Sequence, residues 1–108
     1  MKIKKELLKM YDYVDHFFEG LARVRKNGKW FHVHPDGKQA YEERYNDVGH
    51  FTRGLAWVEK NGECFHIHPD GRPAYVERYG IVGCFSNGLA VVEKNDEWFN
   101  IRPDGSRV

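Results

Sequence analysis

The chain has almost no net charge, few cysteines and no long apolar run, and each shortage removes a class of function. Seventeen basic and sixteen acidic side chains leave a formal charge of +1 over 108 residues, so no global field draws it to nucleic acid or to an anionic membrane. No apolar stretch approaches the length of a membrane span. The start, MKIKKELLKM, lacks the apolar segment of a secretory signal. Cys64 and Cys84 are the two cysteines, and they form neither a CxxC pair nor a disulfide framework. A reducing, cytoplasmic setting is therefore the expectation. The sequence carries no phosphate-cradling glycine loop, nucleophile elbow or HExxH pair, so the expectation is a chain that is not an enzyme. What it has in quantity is aromatic residues, 15% of the total, which must fill sheet faces, a core or a binding surface.

Those aromatics recur with a period. GLARV at Gly20, GLAWV at Gly54 and GLAVV at Gly88 stand 34 residues apart, as do Asn27, Asn61 and Asn95, and Pro35, Pro69 and Pro103. Aligned without a gap, Phe17–His50 and Phe51–Cys84 share 21 of 34 positions. The chain is thus one repeat domain, 1–108: a partial repeat or cap at 1–16, repeats at 17–50 and 51–84, and a partial third copy at 85–108. A fixed period of this size marks a repeat architecture.

Within each copy, two alternating runs flank Asn27-Gly28, a strong two-residue hairpin signal. That turn sets Lys26 opposite Lys29, Val24 opposite Phe31 and Ala22 opposite Val33, an apolar face kept in all three copies and assigned to the core. The opposite face, with Arg23, Arg25, Trp30 and His32, varies and is expected to be partly exposed or packed on a neighbouring layer. His-Pro-Asp-Gly then reads as a turn. Short extended segments are expected near Gln39–Tyr41 and Tyr45–Phe51, and a turn of helix in KKELLKMYDYV. The third hairpin has Asp96 where the others have glycine and is predicted to be the least stable. The fold class is all-β: tandem ~34-residue repeats of antiparallel hairpins, in an open array or a propeller-like closure where the termini complete one repeat.

The run Tyr…Val…Phe-x-x-Gly-Leu-Ala-x-Val, the Asn-Gly turn and Trp30 and Trp98 resemble the WG (KWG) repeat family found in many bacterial proteins. The chain departs from it where glycine should follow the tryptophan: Phe31 and Phe99 stand there, and Cys64-Phe65 replaces the pair in the second copy. The resemblance implies a β-rich interaction module and no catalytic residue. A weaker likeness is to the aromatic hairpins of choline-binding repeats.

Two readings compete for the variable face. Aromatic and arginine enrichment suits an interface, which makes Trp30, Trp57, Trp98, His32, His66 and Arg23 the candidates for contact with a protein or peptide. The histidines permit a second reading. Alternating side chains of a strand share a face, so His32, His34, His66 and His68 could hold zinc or copper. Against the metal, the third copy has Asn100 and Arg102 in those columns. Without it, no cofactor is expected. Glycan binding by the tryptophans, and a repeat chain with no ligand of its own, are further alternatives. Open repeat edges predict homo-oligomers. The aspartates of Pro-Asp-Gly are fully explained by the turn, and Glu43-Arg44 and Glu77-Arg78 read as exposed charges worth little.

Overall fold

A computed structural model describes residues 5–108. Each copy folds as a small three-stranded meander. The first sheet orders β1 (Tyr13–Phe18), β2 (Leu21–Lys26) and β3 (Lys29–Val33). The second holds β4 (Asp47–Val48), β5 (Ala56–Lys60) and β6 (Glu63–Ile67), and the third β7 (Ile81–Val82), β8 (Ala90–Lys94) and β9 (Glu97–Ile101). A short helix, α1 (Lys5–Met10), precedes them, as the leucine- and lysine-rich start predicts. No described helix is long and apolar enough to cross a membrane.

The Asn-Gly hairpins form in the expected register, with Val24 opposite Phe31 and Ala22 opposite Val33. The same register recurs in the second and third sheets. Asn27, Asn61 and Asn95 all take positive φ, near 54°, which an Asn-Gly turn of this type requires. In the third turn Asp96 is held at φ 68°. The side chain of Asp12 accepts the Asn27 N–H, and that of Asn46 accepts the Asn61 N–H. The corresponding residue for the third turn is Gly80, which has no side-chain acceptor to offer. The third hairpin lacks two supports that at least one of its predecessors has.

A second tight turn in each copy escapes the sequence pattern. Glu19-Gly20, Arg53-Gly54 and Asn87-Gly88 all lie at positive φ and turn the first strand of each meander into the second. The phase of the folded unit therefore differs from the sequence segments, because β1 spans the boundary drawn at Phe17. The extended segment expected near Gln39–Tyr41 is reduced to a single bridge, Val33 to Gln39.

One apolar spine links the three sheets. Val24, Val58 and Val92 are wholly buried, along with Ala22, Val33, Val48, Ile67 and Ile101; each buried aliphatic side chain of Val or Ile size contributes about 1.5–3 kcal/mol. Successive sheets join through a two-way backbone bridge. Trp30 and Tyr45 exchange N–H and C=O at 2.9 and 3.0 Å, and Cys64 and Tyr79 at 2.7 and 2.9 Å. The body measures 43 × 27 × 18 Å. It is the open array: α1 packs at one end, and β9 at the other has a strand partner on one side only. The closure in which the termini complete one repeat does not form among the described residues.

Candidate functional site on the variable face

The variable face divides into a buried half and an open half. At its buried end, Leu21 and Leu55 are covered, and so are His32 and His66, at 0% and 1% exposure, packed on the neighbouring layer rather than partly exposed. His32 sits on β3 between its own repeat and the next. Its Nδ1 lies 2.6 Å from the Tyr41 hydroxyl and its Nε2 2.8 Å from the Gly49 carbonyl. His66 repeats this with Tyr75 at 2.6 Å and Gly83 at 2.8 Å. A carbonyl only accepts, so Nε2 carries the proton and donates, while Nδ1 accepts from the tyrosine. Burial pushes the pKa of both histidines down to about 4, with the hydrogen bond to the glycine carbonyl opposing it. Burial also raises the pKa of Tyr41 and Tyr75 above the usual phenol value.

This corrects two assignments. His32 and His66 are not contacts for a partner, because neither reaches the surface. Nor does the structure gather His32, His34, His66 and His68 into one cluster. Both ring nitrogens of each buried histidine are already engaged, His34 is exposed and His68 half-buried, and among the described residues no group of three or more His, Cys, Asp or Glu is placed to hold an ion.

The open half keeps Trp30, Trp57, Trp98 and Arg23. Around the first repeat a cleft of about 320 Å³ is lined by Asp12, Tyr13, Arg23, Arg25 and Trp30. Tyr13 meets Trp30 edge-on, ring centres 5.6 Å apart, and the Arg23 guanidinium lies 5.1 Å from the Trp30 ring. Arg23 is fixed from two sides: its Nε donates to Asp15 at 2.8 Å, and its Nη1 to the Val48 carbonyl of the next sheet at 3.1 Å. Burial alone would raise the Asp15 pKa, but the bonds from Arg23 and the His16 amide outweigh it and hold the carboxyl below its ordinary value. Phe18 covers His50 at 4.1 Å between rings, and burial followed by the Arg23 charge lowers the His50 pKa.

The corresponding cleft of the second repeat, about 260 Å³, is lined by Asp47, Trp57, Glu59, Cys64, Gly80, Ile81 and Val82. Trp57 lies flat on Gly49, leaving no room there for a Cβ. In the third repeat Ile81, Val91 and Trp98 are 49%, 47% and 57% exposed beside Glu93. The same place on each sheet thus offers apolar area with different charge: Arg23 and Arg25 with Asp12 first, then Asp47 and Glu59, then Glu93.

Other candidates resolve into structure. The side chains of Asp36, Asp70 and Asp104 each accept the amide two residues on, which makes them turn formers. Arg44 and Arg78 are not loose charges. Their guanidinium groups lie 3.6 and 3.7 Å over Phe31 and Phe65 and donate to carbonyls of their own loops. The phenylalanines that stand where the repeat pattern has glycine are thereby lidded.

No curated protein and no solved structure matched the chain. A family model described as WG containing repeat matches it in three successive stretches, residues 5–30, 33–64 and 78–98, covering most of the sequence. On the strength of those three matched copies, the chain belongs to the WG repeat family.

Proposed function

We propose that this chain is a non-enzymatic module that binds a protein or peptide through the open half of its variable face. The observation that carries the reading is the recurrence, at one place on each sheet, of exposed apolar area beside charged groups. Tryptophan, tyrosine and arginine supply most of the energy in such contacts, the two aromatics because they bury large areas with few rotors to freeze. Arg23 is already held by Asp15 and Val48, so presenting it to a partner costs little side-chain entropy. The change from a mixed first cleft, Arg23 and Arg25 with Asp12, to Asp47, Glu59 and Glu93 favours a partner whose basic groups meet the later repeats.

A random peptide display library selected on the immobilised chain tests this. Enriched peptides are expected to bind wild type and to lose about tenfold or more in affinity to Trp30→Ala or Arg23→Ala, in line with an aromatic or arginine hot spot. Enriched peptides that bind both variants as tightly as wild type, or a chain that selects only glycans on an array, would count against the reading.

A further inference from the structure

The two-residue turns that open each meander stand 34 residues apart, at Glu19-Gly20, Arg53-Gly54 and Asn87-Gly88, with both residues of each at positive φ. Successive backbone N–H groups in such a turn form a concavity suited to anions. The molecule itself shows the fit. Glu19 reaches across to the second turn, where one carboxylate oxygen accepts the Arg53 N–H and the other accepts the Gly54 N–H at 2.8 Å.

One repeat further on, the carboxylate is replaced by a cation. Arg53 stands before Asn87-Gly88 as Glu19 stands before Arg53-Gly54, and a guanidinium accepts no hydrogen bond. The Asn87 and Gly88 N–H groups have no acceptor among the described residues. Arg53 and Gly88 instead line a single cavity of about 290 Å³, at the small end of ligand sites. His68, half-buried, lines it as well, and Leu55, Phe85 and Pro103 give it apolar walls. No carboxylate is among its lining residues. The Arg53 guanidinium joins none of the ion pairs formed among the described residues. Backbone donors and a guanidinium therefore border one space to which the chain brings no carboxylate.

We infer that this cavity is a carboxylate-binding site. The ligand's carboxylate takes the Asn87 and Gly88 amides as Glu19 takes those of Arg53 and Gly54, and the Arg53 guanidinium bonds its remaining lone pairs. Two oxygens with about four lone-pair positions suffice for both sets of donors. The apolar walls select a carboxylate carried on a hydrocarbon body, as in a branched short-chain acid or the C-terminal residue of a peptide, which backbone nests are able to capture. The cavity shares no lining residue with the clefts beside Trp30 and Trp57, so it is separate from the surface proposed for a protein partner.

The probes are isovalerate, N-acetylleucine and N-acetylleucinamide, each titrated into the whole chain and followed by amide chemical shifts. Both acids are expected to shift the Asn87 and Gly88 amides saturably, with Trp30 and Trp57 unmoved, and the leucinamide to leave them in place. Tighter isovalerate binding would identify a free acid as the ligand, and tighter N-acetylleucine binding a peptide terminus. Arg53→Gln is expected to weaken both acids about tenfold or more. Arg53→Glu puts glutamate at φ 53°, where Glu19 already sits at 52°, so the turn accommodates it. That variant supplies its own carboxylate: it is expected to take up neither acid and to show the Asn87 and Gly88 amides already shifted without ligand. Absence of any shift at these amides with both acids overturns the inference. So does leucinamide binding as tight as that of the acids, or an Arg53→Glu chain that binds them like wild type.

Discussion

At the scale of single residues, His32 and His66 decide most of what was uncertain. Each sits in the core with a donor on one ring nitrogen and an acceptor on the other, so protonation would break the bond from tyrosine and place a charge in an apolar site. The pH consequence follows from the depressed pKa, about 4 against an ordinary 6.5. Above about pH 6.5 folded and unfolded chains both hold neutral imidazole, and the full contribution is present. As pH falls below that value the unfolded chain binds protons that the fold refuses, so stability falls until about pH 4. Two to three pH units of difference correspond to about 3 kcal/mol per histidine. Thermal melts are expected to show Tm dropping steadily through this window, with a shallower slope for His66→Gln. A wild-type Tm that stays level from pH 7 to pH 4 would refute the assignment.

At the scale of the element, the hairpin is the unit that the sequence specifies best. Asn-Gly sets the register, and alternation picks the buried face, because a one-residue slip would expose every core side chain. The third hairpin is the exception that can be repaired. Asp96 holds a left-handed conformation natural to glycine, and Gly80 offers its turn no side-chain acceptor. Asp96→Gly is expected to stabilise the chain by about 0.5 kcal/mol, raising Tm by about 2–4 °C, with slower hydrogen exchange confined to Val92–Phe99. A lower Tm would contradict this, because the Gly62 amide already makes with Glu59 the bond that the Asp96 amide makes with Glu93. The first turn of each meander was harder to read. Glu19 and Arg53 occupy left-handed positions that their side chains do not advertise, and only the glycine after each gives a hint. The Arg44 and Arg78 lids were equally hidden, since nothing in Glu-Arg says that the guanidinium folds back over a phenylalanine in the strand before.

At the scale of the molecule, three meanders act as one body because each hands its successor a strand edge and a buried histidine. The exposure of Trp98 was compatible with the sequence; the burial of His32 was not evident in it. A histidine alternating along a strand looks like a surface ligand until its partners are found nine and seventeen residues later. A signal was present. Tyr41 and Gly49 follow His32 at the same spacing as Tyr75 and Gly83 follow His66. The coupling of the sheets through these residues is the central claim. Nitrogen-detected NMR of the imidazole rings through a pH titration tests it most directly. His32 and His66 should remain neutral, protonated at Nε2, down to about pH 4, well below the range in which an unburied imidazole takes its proton. Two rings that titrate near pH 6.5, or that carry the proton on Nδ1, would contradict it.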